Sequence, residues 1–114
     1  MLFRSVITVQ DHTITLNEVT IEGDRLQANF TIENKHDTDD LAISSLMDFS
    51  ARNADGTNLD HAMLDCNPDM GGKVLPGDLL RGNVCWTGAT SDTVKIYYEA
   101  SLFGEGAVVW EITK

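Results

Sequence analysis

Leu26-Gln27-Ala28-Asn29-Phe30-Thr31-Ile32-Glu33 is the stretch that decides the fold. Its even positions are apolar and its odd positions polar, the pattern of a strand with one face in a core and the other in water. The same period of two recurs along the chain. Val94, Ile96 and Tyr98 alternate with Lys95, Tyr97 and Glu99, and Val108, Trp110 and Ile112 alternate with Ala107, Val109 and Glu111. Ile43, Ser45, Met47, Phe49 and Ala51 read as a further strand, with Asp48 on its solvent-facing phase. Leu80, Val84 and Trp86 line one face of the next, with Gly82 between them. Ser5–Val9 opens the chain as a strand, and Ile14 and Leu16, then Val19 and Ile21, predict two short strands or one bent one. No stretch carries an i, i+3, i+4, i+7 stripe over three turns. At most, Leu59–Asp65 forms one helical turn.

Turn chemistry falls between these runs: Glu22-Gly23-Asp24, Asn34-Lys35-His36-Asp37, Asn53-Ala54-Asp55-Gly56, Pro76-Gly77-Asp78 and Gly104-Glu105-Gly106. Seven to eight short strands spaced in this way predict an all-β, immunoglobulin-like antiparallel β-sandwich. The 114 residues make a single domain over 1–114, whose one irregular region is the Gly-, Asn- and Asp-rich segment 53–77. With 42% apolar residues the chain has enough core to fold. Eight Lys and Arg against eighteen Asp and Glu give a net charge of −10, which argues against a nucleic-acid or anionic-membrane partner. No apolar run is long enough to enter a bilayer.

Cys66 and Cys85 enclose Pro68, Gly71, Gly72, Pro76 and Gly77. Their separation is too long for a CxxC redox pair, and two thiols are too few for a zinc knuckle. A disulfide is the expectation, with two unrelated buried thiols as the alternative. Alternation puts Cys85 on the phase opposite Val84 and Trp86, so the bridge is expected to clamp a loop over the outside of a sheet. A disulfide favours an oxidising compartment. The start Met1-Leu2-Phe3-Arg4 has no secretory-signal pattern. The chain is therefore either cytosolic or a mature domain whose native signal or anchor is absent.

Six features appear in a familiar order: the opening strand with Ile14-Thr15-Leu16, then Phe30-Thr31-Ile32-Glu33-Asn34, Asp55-Gly56, Leu75-Pro76-Gly77-Asp78, Gly82-Asn83-Val84-Cys85-Trp86, and Val94-Lys95-Ile96-Tyr97-Tyr98. Over residues 5–113 the chain resembles an immunoglobulin-like domain of bacterial and archaeal secreted lipoproteins, a family of no established function. The resemblance implies a secreted or membrane-tethered domain without catalytic residues. Part of that family carries a telomeric-repeat-binding-factor-like label, which the −10 charge contradicts here. The family's lipobox cysteine and signal are missing from this sequence.

Two metal chemistries compete with this reading. Eight aspartates lie between residues 37 and 69, and Asn53-Ala54-Asp55-Gly56-Thr57 with Asp60 is similar to half a calcium loop. It lacks the Asp ladder before the glycine and the closing bidentate Glu, so a turn on a solvated acidic face accounts for it as well. His36 with Met47, and His61 with Met63, supply soft ligands suited to copper(I). The spacing resembles the His-x10-Met and His-x-Met of a periplasmic copper(I)-chaperone family. Here, however, only thirteen residues separate the halves, and the second half precedes the Pro-Gly turn.

No Gly-x-Ser-x-Gly elbow surrounds Ser44 or Ser45, and Asp69-Met70-Gly71-Gly72-Lys73 lacks phosphate-loop spacing. Catalysis and resident cofactors are not expected. Trp86 and Trp110 fall on core phases. Tyr97 falls on the outer phase beside Lys95 and Glu99, where an aromatic can anchor a protein or glycan. The expected function is a non-catalytic, extracytoplasmic binding or structural module of a cell-envelope protein. It would meet a protein or a second copy through sheet edges or faces. The alternative is a periplasmic protein binding copper(I) or calcium.

Overall fold

The computed structural model describes residues 2–9, 12–99 and 108–113. Period-two alternation becomes ten strands: β1 (Leu2–Val9), β2 (His12–Glu22), β3 (Arg25–Asn34), β4 (Leu41–Ile43), β5 (Phe49–Asn53), β6 (Asp60–His61), β7 (Gly72–Val74), β8 (Leu79–Thr87), β9 (Thr93–Tyr98) and β10 (Val108–Thr113). One antiparallel sheet has the order β1-β2-β3-β8-β6 and a second has β10-β9-β5, while β4 and β7 form a two-stranded pair. This is the antiparallel immunoglobulin-like sandwich that the alternation predicts. The strands outnumber the expected seven to eight because β6 and β7 lie in the irregular segment and because β4 and β5 divide one expected strand.

The core forms where the apolar phases of the two sheets meet. Leu26, Ala28, Phe30 and Ile32 are wholly buried on β3, joined by Ile14, Leu16, Val84 and Trp86 from its neighbours. The ring of Phe30 lies 4.7 Å from that of Phe49 and 5.3 Å from that of Trp110, and Phe49 lies 5.0 Å from Tyr98. Residues 12–22 form one bent strand. A register shift against β3 between Leu16 and Glu18 moves the buried phase from Ile14 and Leu16 to Val19 and Ile21. That is a bulge, with Asn17 as its extra residue.

Two readings are corrected. Residues 43–51 are not one strand: β4 pairs with β7 and β5 with β9, so the chain must change sheets between them. It does so through a turn at 44–48. Met47 is consequently 79% exposed rather than in the core, and Asp48 is buried rather than solvent-facing. The Asp48 carboxylate closes the turn by accepting the Ser44 N–H at 2.8 Å, and its own N–H donates to the Ser44 carbonyl at 2.9 Å. Nor do residues 59–65 form a helical turn. His61 pairs with Trp86 at the sheet margin, and Met63–Cys66 is a turn closed by the Cys66 N–H on the Met63 carbonyl. Gly104-Glu105-Gly106 and Ala107 lie outside the described residues.

Cys66 and Cys85 are joined, with their Cα atoms 6.1 Å apart. Cys85 pairs opposite Gln27 on the outer phase of the sheet, as alternation predicts. It is nevertheless buried, because the chain around Cys66 covers it. Beyond the bridge the chain runs along the margin of β8. The Asn83 N–H donates to the Pro68 carbonyl at 2.7 Å, and the Met70 N–H to the Asn83 carbonyl at 3.0 Å. This close approach is why residue 82 is glycine. A Cβ there would meet the Asp69 carbonyl oxygen and the Met70 Cα at 2.7 Å, both of them backbone atoms.

Two stability outcomes follow. Reduction of the bridge should cost about 3 kcal/mol by loop entropy and lower the melting temperature by roughly 10 °C, measured by calorimetry with and without reductant. Gly82→Ala should cost about 1–3 kcal/mol, because residues 69–70 must move to admit the methyl group. Chemical denaturation checks this, and an unchanged midpoint would show that the contact is not tight.

Candidate functional site

The outer face of the five-stranded sheet is built from the polar phases of β2, β3 and β8. A groove of about 150 Å³ lies on it, lined by Glu18, Thr20, Gln27, Asn29, Arg81 and Asn83. A smaller hollow of about 60 Å³ extends it past Thr20 and Gln27 to Glu22 and Arg25. Cross-strand register sets this composition: Glu18 faces Asn29, Thr20 faces Gln27, and Asn29 faces Asn83.

A ladder of amides stiffens the floor. Asn17, turned onto this face by the bulge, donates to Asn29 Oδ1 at 3.0 Å and to Thr31 Oγ1 at 2.8 Å. Asn29 Nδ2 donates to Asn83 Oδ1 at 2.8 Å, and Asn83 Nδ2 donates to the Asn67 carbonyl at 3.0 Å. Arg81 reaches across from β8, its Nε donating to Asn29 Oδ1 at 3.1 Å. The ladder thus runs from the bulge of β2 to the residue after Cys66, tying the sheet floor to the clamped loop.

That loop is heavily restrained. The disulfide fixes one end, the Ala62 N–H donates to the Cys85 carbonyl at 2.9 Å, and Cys66 closes its turn onto Met63. Arg25 Nη2 donates to the Leu64 carbonyl at 3.1 Å and the Asp65 carbonyl at 3.4 Å. Asp65 takes the left-handed conformation, φ 59°, which is uncommon for a residue with a side chain. The product of these restraints is Leu64, held outward and 82% exposed.

The residues singled out for metal chemistry occupy separate parts of the fold. His61 pairs with Trp86, which pairs with Leu26 at one end of β3, and its Nε2 lies 3.0 Å from the Phe49 carbonyl. His36 follows Asn34 at the other end of β3, with its imidazole 3.3 Å from Asp39 Oδ2. At a strand rise of about 3.3 Å per residue the two histidines stand about 26 Å apart along the sheet. Met47 projects from the 44–48 turn, and Met63 packs partly into the core. The structure therefore does not bring His36, Met47, His61 and Met63 together.

The calcium-loop candidate is a hydrogen-bonded turn. Asp55 Oδ1 accepts the Thr57 hydroxyl at 2.6 Å and the Thr57 N–H at 3.0 Å, which hold the carboxyl below its usual range. Asn53 is buried: its Nδ2 donates to the Gly88 carbonyl, and its Oδ1 accepts the Thr90 and Ser91 N–H groups. Among the described residues, no three His, Cys, Asp or Glu side chains gather as ligands.

Tyr97 lies half-buried on the outer face of the second sheet, with the Arg52 guanidinium over its ring at 5.1 Å. At one end of the sandwich the Tyr98 hydroxyl lies 2.9 Å from His12 Nε2, with both groups buried. Burial, then the nearby Asp48 carboxylate, pushes the Tyr98 hydroxyl far above its ordinary pKa, so it stays protonated.

Leu64, Glu18 and Arg81 are the groups that reading the sequence missed. An outer-phase charge on an alternating strand looks like any solvated residue, and register alone puts Glu18 and Arg81 on one groove. The signal for Leu64 was a leucine one residue before Asp65-Cys66, within a segment expected to be pinned. The ladder gives a direct test. Asn83→Asp replaces a donor to the Asn67 carbonyl with an oxygen, and should cost about 1–3 kcal/mol. Hydrogen exchange should quicken at the amides of residues 66–70 while the β9 and β10 amides keep their protection.

No family model matches the chain, and no curated protein is similar to it. Solved structures do match in fold. A Bacillus subtilis protein described as a "putative lipoprotein", ycdA, superimposes with a TM-score of 0.74 at 15% identity over 95% of this chain. This chain spans 38% of ycdA. The yjhA protein of Bacillus subtilis matches with a TM-score of 0.70 at 15% identity, over 96% of this chain and 95% of that one. MPT63, a secreted protein from Mycobacterium tuberculosis, matches at 0.58 and 18% identity, over 96% of this chain and 92% of that one. At such identities the likeness shows that the three proteins share this sandwich fold.

Proposed function

We propose that the chain is a non-catalytic, extracytoplasmic binding module of a cell-envelope protein, and that it meets a protein partner through the disulfide-clamped loop on its five-stranded sheet. The observation that carries this reading is Leu64. At 82% it is the most exposed large apolar side chain among the described residues. Here a disulfide, two hydrogen bonds from Arg25 and a left-handed Asp65 keep it projecting. Ordering an anchor before binding removes an entropic cost of association, and buried apolar anchors dominate interface energies. Asp60, Asp65 and Asp69 flank Leu64 in the sequence against the one Arg25 guanidinium on its carbonyl, so the loop is net negative and the complementary partner offers an apolar pocket with a basic rim.

The location rests on separate support. The bridge belongs to an oxidising compartment. Of the proteins sharing the fold, one is described as a "putative lipoprotein" and another as secreted.

Photo-cross-linking from position 64 in the source cells should trap a discrete partner, whereas the same probe at Lys95 on the opposite sheet should not. Leu64→Asp, exposed and therefore fold-neutral, should prevent competition for that partner. Equal products from both positions, or none from 64, would reject the loop as the contact surface. Recovery of the native protein from the cytosol with both thiols alkylatable would reject the location.

A further inference from the structure

The outer-face groove holds two opposite charges that do not meet. Glu18 on β2 and Arg81 on β8 line the same hollow, and the salt bridges among the described residues do not include this pair. Arg81 commits only its Nε, to Asn29, which leaves both terminal nitrogens of the guanidinium as donors. Glu18 is exposed, and among the described residues its carboxylate accepts no hydrogen bond. In the register Asn29 lies between them, and one two-residue step beyond Glu18, away from Arg81, lie the Gln27 amide, with two N–H donors and an acceptor oxygen, and the Thr20 hydroxyl, neither hydrogen-bonded to a described side chain.

From these groups we infer that the groove binds a short zwitterionic peptide, its carboxylate on Arg81 and its ammonium on Glu18. Three arguments select this class. A guanidinium with its terminal nitrogens free is matched in geometry to a carboxylate. A net charge of −10 repels an anion but not a molecule carrying one charge of each sign. The lining has no aromatic ring on which a sugar could stack, whereas Gln27 and Asn29 suit a peptide amide.

The pre-formed floor favours such binding. The Asn17–Asn29–Asn83–Asn67 ladder fixes Asn29 beneath the ligand and fixes the Arg81 Nε that leans on it. This site is separate from the Leu64 loop and does not depend on a protein partner docking there, because Leu64 does not line the groove.

The test is titration of the full chain with alanyl-alanine, followed by calorimetry and by NMR of the side-chain amides of Gln27, Asn29 and Asn83. Binding in the millimolar range or tighter is expected, with those three amides shifting most. Arg81→Gln and Glu18→Gln, both at exposed positions, should each weaken it about tenfold or more. N-acetyl-alanyl-alanine, which lacks the ammonium, should bind the unaltered protein more weakly and be indifferent to Glu18→Gln. Absence of groove shifts up to tens of millimolar dipeptide would overturn the inference. So would equal binding of N-acetylglucosamine, or shifts that survive both substitutions. Any of these results leaves the cross-link from position 64 unaffected, so the two proposals fail separately.

Discussion

Phe30 is the bolt of this sandwich. It sits midway along β3, the central strand of the larger sheet, and its ring meets Phe49 and Trp110 from the smaller one. Everything on the outer face takes its position from that contact. With Phe30 turned inward, strict alternation sends Asn29 and Thr31 outward, and register with β2 and β8 then sets Asn17, Arg81 and Asn83 around them. A one-residue slip of β3 would exchange the two faces, exposing four wholly buried apolar side chains and burying an amide ladder. Core packing and surface chemistry are therefore the same constraint seen from two sides.

The sheet was legible in the sequence because alternation is a local signal. Residues 26–33, 94–98 and 108–112 carry their own periodicity, and each is a strand. Residues 43–51 misled for a physical reason. Ile43, Ser45, Phe49 and Ala51 are all buried, so the pattern was real, but β4 and β5 pair in different sheets. Burial was readable and the break between sheets was not, because pairing partners are set by distant residues. Asp48 shows the same limit: a carboxylate on an outer phase gives no hint that it will fold back onto Ser44.

The disulfide was legible from count and context, and its outward clamp from phase alone. What it builds was not. That Arg25 reaches the Leu64 carbonyl, thirty-nine positions away, or that Gly82 makes room for Asp69 and Met70, depends on the path of a loop without periodicity. The histidines and methionines illustrate the converse. Their spacing along the chain suggested a ligand set, yet His36 follows one end of β3 while His61, on β6, lies level with the other.

The ring closed by the bridge also has a topological meaning. Residues 66–85 form a covalent loop that contains the exposed Pro76-Gly77 turn, with Leu75 and Leu79 on its flanks. A protease that cuts once within this ring opens the backbone without dividing the molecule. The fragment ending at the cut remains tied through Cys66 to Cys85 on β8, and β8 remains paired with β3. At this turn, a single nick thus releases nothing.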